Sequence, residues 1–259
     1  MSGSWRRLRA LSRTERVAAG ALVASLALAF LGGRGIARPS THAASLAVAP
    51  ADGSEIELRV PRAGGEISLD GDTDDPGWQG TTARTGAFVT ADDVAARPHS
   101  EARFVWGDGH LFVELYAADE DIRAKHETAD GPVWTDDAFH LVFSDGVTER
   151  SFDVSPLGAL TDGRRAAGGV AGAAPRPFDY SWNSGAHVSH ELDGTPNDAT
   201  DDDEEWVIEM AIPFEALGLQ GEKGERIGVW MRRCDTVKSG ERSCGTWGSG
   251  ERRGTFVLD

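Results

Sequence analysis

The chain has 259 residues, with 32 Gly, 11 Pro and 8 Trp. That length holds one all-β domain of roughly 200 residues but leaves no room for a glycosidase barrel, which takes about 250 residues alone. The formal charge of −16 is unevenly spread. Residues 1 to 40 carry seven arginines against Glu15, so the remainder has 19 basic and 41 acidic groups, a net −22. Such a surface repels nucleic acid and anionic lipid, and suits a neutral ligand or divalent cations.

Residues 1 to 16 form a basic segment with Arg6, Arg7, Arg9, Arg13 and Arg16. Residues 17 to 33 follow as an uncharged apolar run, which as a helix of about 1.5 Å per residue reaches about 25 Å, the lower limit for a bilayer. The preceding arginines place the N-terminus in the cytoplasm. The rest is then exported, held at the inner membrane facing the periplasm or cell exterior, or secreted if the segment is a cleaved signal. Gly35-Ile-Ala37 and Thr41-His-Ala43 are the loose matches to a cleavage site. Residues 34 to 65, rich in Ala, Ser, Pro and Gly, read as a spacer, although Ile56 to Val60 alternates like a strand.

From residue 66 to 259 period-two alternation dominates. Leu111, Val113, Leu115 and Ala117 share a face, as do Phe139, Leu141 and Phe143; Trp206, Ile208, Met210 and Ile212; and Ile227, Val229 and Met231. The only helical stretch is short, Phe214 to Gly218. Many strands, Gly-rich turns and two apolar faces predict an antiparallel β-sandwich.

Motifs along this region resemble those of the family 9 carbohydrate-binding modules. Leu69-Asp-Gly leads through an acidic turn to Trp78; Ala102 to Ala117 is a strand pair around Trp106 and Asp108, followed by Asp119-Glu-Asp121. Asp130-Gly-Pro-Val-Trp134 precedes the strand holding His140. Trp206-Val-Ile-Glu209 runs on to Ile212-Pro213, and Trp247 stands seven residues before Gly254. The resemblance implies a jelly-roll-like sandwich that binds polysaccharide or oligosaccharide ends and is commonly attached to glycoside hydrolases. It further implies that Trp134 and Trp247 sandwich a sugar ring.

An indole covers the C–H face of a pyranose, while groups at the rim replace water around its hydroxyls. The family's rim residues, a Glu, an Arg and a Gln, align here with His140, Asp153 and Arg232, so the donors and acceptors are redistributed. His140 is equally a half-buried strand residue, and Asp153 and Arg232 could pair with each other. Trp78, Trp106 and Trp206 stand at positions expected to be core, and Trp182 is either a third platform or a plug.

Asp70, Asp72 and Asp74 imitate the start of an EF-hand, but neither the Gly nor the Glu that the loop requires follows. Structural Ca²⁺ is implied by the resemblance, without a location. The acidic run from Asp201 to Glu205 reads as a solvated loop. Cys234 and Cys244 are expected to form a disulfide contributing about 2 to 3 kcal/mol, the alternatives being free thiols or an intermolecular bridge. No nucleophile elbow, zincin motif or phosphate loop is present. A non-catalytic carbohydrate-binding module working beside a separate glycoside hydrolase is therefore the leading expectation. The alternatives are a haem-binding DOMON-like electron-transfer domain, with Met210 or Met231 and His110, His126, His140, His187 or His190 as axial ligands, and a structural envelope domain that has lost its sugar site.

Overall fold

The computed structural model describes residues 56–168, 177–248 and 253–259. The segments 1 to 16 and 17 to 33 lie outside the described residues, among which no helix is long and apolar enough to cross a membrane.

Among the described residues, eleven strands make two sheets. The larger contains β1 (Ile56–Val60), β4 (Ala138–Ser144), β5 (Thr148–Val154), β6 (Leu160–Ala166), β9 (Arg226–Thr236), β10 (Arg242–Thr246) and β11 (Gly254–Leu258), in the order β1-β11-β9-β4-β5-β6, with β10 also on β9. The smaller is β2 (Ser100–Gly107), β3 (His110–Ala118), β8 (Glu205–Pro213) and β7 (His187–Asp193), in that order. The long strand β9 organises the larger sheet. One of its edges carries β4, and the other carries β11 and then β10.

The alternating residues do what their period requires. Phe139, Leu141, Phe143, Val229 and Met231 from the larger sheet meet Leu111, Val113, Trp206, Ile208 and Met210 from the smaller in one core. Ring contacts cross the interface, Phe139 to Trp206 at 5.2 Å and Phe104 to Phe256 at 4.5 Å. The helix α1 (Phe214–Leu217) caps β8.

Two sequence expectations change. Ile56 to Val60, inside the presumed spacer, is β1, and it joins the larger sheet because Ile56, Leu58 and Val60 bury one face against the core. The domain thus begins by residue 56 rather than 66. The sandwich is also not wholly antiparallel, since β1 runs parallel to β11.

The motifs surrounding the core act as braces. Glu209 lies on the outer face of β8, where its carboxylate accepts the Trp78 indole N–H at 2.8 Å and the Gly71 N–H at 2.9 Å. This straps the acidic turn of residues 69–78 across the smaller sheet. On the core side, the Trp206 indole donates to Asp119 at 3.0 Å. Cys234 and Cys244 face each other across β9 and β10 and form the expected disulfide.

Candidate functional site

The outer face of the larger sheet gathers the site. His140 on β4 stands directly between Asp153 on β5 and Arg232 on β9 in strand register. The three residues singled out from the sequence are therefore neighbours. Asp153 pairs with His140 rather than with Arg232: one of its carboxylate oxygens binds Nδ1 of the imidazole. An imidazole that donates Nδ1–H to a carboxylate leaves Nε2 as its outward-facing polar atom.

Trp230, two residues before Arg232, extends the patch. Its ring meets His140 edge-on at 5.4 Å, and the Arg232 guanidinium lies 5.5 Å from its centroid. On the opposite side Tyr180 crosses β6 above Gly163, where a Cβ would stand only 2.8 Å from the tyrosine ring. Burial raises the Tyr180 phenol above its ordinary pKa, and the nearby Asp153 charge adds to the effect. Trp134 stacks on Tyr180 with ring centroids 5.5 Å apart and planes 29° from parallel. The Trp134 turn is fastened from below, because Arg242 donates to the Trp134 carbonyl at 3.0 Å and to the Asp136 carbonyl at 2.7 Å.

The floor of this patch holds polar atoms that have no protein partner. Ser151 Oγ, Asp153 Oδ2, Trp230 Nε1 and Arg232 Nε are all buried and unpaired. Ser151 and Asp153 are 0% and 1% exposed. A buried polar group lacking a hydrogen bond costs about 1 to 3 kcal/mol, so four on one sheet face mark a place where something else supplies the bonds. Around them the rim is apolar and open, with Trp134 43% and Tyr180 37% exposed.

Trp247 does not share in this arrangement, which corrects the two-tryptophan slot. It is 2% exposed and its ring packs at 5.8 Å from Phe256, in the core. A Cβ on Gly254 would stand 2.4 Å from that ring. The seven-residue step from Trp247 to Gly254 is thus a packing lock: the glycine leaves the space that the indole fills. Trp78, Trp106 and Trp206 are buried as expected. Trp182 is half-buried, edge-on to Phe152 at 6.4 Å, with its other side on a cleft.

That cleft, of about 940 Å³, is lined by β5, β6, the loop from Asp179 to Gly185 and α1, with Arg150, Arg164 and Glu215 at its walls. Among the described residues, none of the unpaired buried polar atoms belongs to its lining. Size therefore favours the cleft and chemistry favours the sheet face; the unsatisfied groups decide for the face.

The haem alternative loses its methionine ligands. Met210 and Met231 are 0% exposed within the core. A haem would have to part the two sheets to reach either sulfur.

For the calcium implied by the resemblance, the donors that fit are Asp119, Asp137 and Asp235, buried carboxylates whose oxygens approach within 4.8 Å of one another. Arg233 donates to Asp119 at 2.8 Å and to Asp235 at 2.7 Å, while Asp235 Oδ2 has no partner. With Arg233 between two of the carboxylates and Arg242 4.0 Å from Asp137, the group is formally −1. Burial, helped by the Asp119 charge, raises Asp137 to a pKa of about 7 and Asp235 to about 6. Hard oxygen donors with a net negative charge suit Ca²⁺.

Trp230, Tyr180 and Ser151 were not singled out from the sequence. Trp230 could have been found: in the alternation Val229-Trp230-Met231 the tryptophan falls on the face opposite the core. Tyr180 carries no such signal, since its place depends on how the loop crosses β6.

The fold is similar to that of two solved structures described as carbohydrate-binding. A candidate carbohydrate-binding protein from Bacteroides uniformis aligns over 80% of this chain and 100% of its own, at 17% identity and a TM-score of 0.62. A carbohydrate-binding module of family 9 from Caldicellulosiruptor kristjanssonii, solved with cellotriose, aligns over 78% of this chain and 93% of its own, at 14% identity and a TM-score of 0.52. No family model matches the sequence, and no curated protein matches it.

Proposed function

We propose that the protein binds carbohydrate without catalysis, on the outer face of the larger sheet. The observation that carries this is the exposed ledge of Trp134 and Tyr180 beside the half-buried His140 and Arg232, above buried polar atoms of Ser151, Asp153 and Trp230 that have no protein partner. A sugar ring matches that face: its C–H side covers Trp134 or Tyr180, and its hydroxyls bond the His140 imidazole and the Arg232 guanidinium. Cellotriose bound by a module of the same fold supports the ligand class. The stacking surface is the Trp134–Tyr180 ledge, in place of a slot between Trp134 and Trp247.

The wider reading is an exported module tethered to the inner membrane by residues 17 to 33, presenting polysaccharide to a separate glycoside hydrolase. Protease shaving of spheroplasts followed by N-terminal sequencing of the released domain tests the tether; a mature chain beginning near Ala44 would overturn it.

A glycan array on the fragment from about residue 50, followed by calorimetric titration of the best oligosaccharide, tests the binding site. Trp134→Ala and Tyr180→Ala should each weaken binding five- to hundredfold, as expected for about 1 to 3 kcal/mol of stacking. Their melting temperatures should stay near wild type, because both rings are exposed. Wild-type affinity in both variants would remove the site from this face.

A further inference from the structure

The carbohydrate reading leaves the kind of sugar open, and Arg232 narrows it. Acidic residues outnumber basic ones by 42 to 26 in this chain, so a half-buried arginine should find a carboxylate with ease. Nearby arginines have done so: Arg165 and Arg253 both bind Glu149, at 2.7 and 2.6 Å. Asp153, the acid nearest Arg232 in the register, is held by His140 instead. Among the described residues Arg232 makes no ion pair; its guanidinium lies against the Trp230 ring and its Nε is buried without a partner.

Partly desolvating a guanidinium without a counter-charge is costly unless an anion arrives to complete it. The flat fork of the arginine, lying on an indole, matches a carboxylate through two parallel N–H donors. Arg232 thus presents a positive charge that no described carboxylate pairs, whereas the net charge of the whole chain taken alone suggests a neutral ligand.

We infer that the site selects an acidic sugar, with Arg232 receiving the carboxylate of a uronic acid residue whose ring lies on Trp230 or on the Trp134–Tyr180 ledge. The Asp153 carboxylate, buried behind His140, disfavours a carboxylate placed in the opposite orientation.

This rests on the carbohydrate reading and is tested beside it by titrating the domain with trigalacturonate, a glucuronic acid-bearing xylo-oligosaccharide, cellotriose and the unsubstituted xylo-oligosaccharide. At least one acidic sugar should bind about tenfold or more tightly than its neutral counterpart, the margin of a charge-assisted hydrogen bond. Arg232→Gln should bring that ratio to about one, and Arg232→Lys should keep part of it; thermal melts of both variants establish that they are folded. Neutral sugars bound as tightly as acidic ones by the wild type, or a ratio unchanged in Arg232→Gln, would overturn the uronate assignment and leave a neutral-sugar site standing. Binding of none of the four, with a blank glycan array, would sink both readings.

Discussion

Trp134 and Trp247 show how little a local sequence says about where a ring points. Both sit among Gly, Ser, Pro or Asp, yet Trp134 is 43% exposed and Trp247 2%. The difference comes from partners distant in the chain: Arg242 holds the Trp134 turn out over β6, whereas Gly254 makes room for Trp247 in the core. Trp247→Ala should therefore behave as a core truncation and cost about 3 to 5 kcal/mol. Gly254→Ala, which drives a methyl against the indole, should cost about 1 to 3 kcal/mol through overpacking. Urea denaturation of both measures this. A Trp247→Ala domain with wild-type stability and lost sugar binding would restore the slot that the packing rules out. For His140, Asp153 and Arg232 the alignment with a family rim was enough to bring together three strand neighbours. It did not show which of them pair, because that depends on rotamers.

At the level of elements, the sequence made the buried strands legible and the edges obscure. β3, β4, β8 and β9 alternate cleanly since one face of each lies in the core. β7, by contrast, is a half-exposed edge strand reading His-Val-Ser-His-Glu-Leu-Asp, and β6 carries Gly163 and two arginines, so neither shows a usable period. β1 was visible as an alternation but misplaced in a spacer, because its pairing with the last strand is the longest-range contact in the sheet. The Asp119, Asp137 and Asp235 cluster was equally hidden: its members come from the ends of β3, β4 and β9 and meet only when both sheets are stacked. If Ca²⁺ joins those three ends, millimolar Ca²⁺ should raise the melting temperature by several degrees relative to EDTA. Asp235→Asn should abolish the increment. Identical melts of the wild type in Ca²⁺ and in EDTA would show that Arg233 and Arg242 balance the cluster without a metal.

For the whole molecule, net charge and buried carboxylates act in the same direction on stability. Glu114 on β3 is 8% exposed; burial raises its pKa to about 7, even though Arg103 binds it and Arg84 lies near, with Glu209 adding repulsion. Burial also raises Glu209, against the N–H donors of Trp78, Gly71 and Asp70. A carboxyl whose folded pKa lies above its unfolded value near 4.5 binds more protons folded than unfolded between those two pH values. Stability therefore falls as pH rises from about 4.5 to about 7, and is flat above. Asp145 and Glu149 are shifted the opposite way, by the hydrogen bonds and arginines that oppose their burial, so their contribution is lost only at lower pH. The domain should be more stable near pH 5.5 than at pH 8, with Glu114 supplying roughly 1 to 3 kcal/mol of the difference. General repulsion among the surface acids gives a slope of the same sign, but salt screens it, whereas a buried group is screened much less. Urea midpoints at both pH values in 0.5 M NaCl and EDTA separate the two. A slope that persists in salt and shrinks in Glu114→Gln assigns it to the buried carboxyl; one that vanishes in salt assigns it to the surface, and greater stability at pH 8 would contradict both.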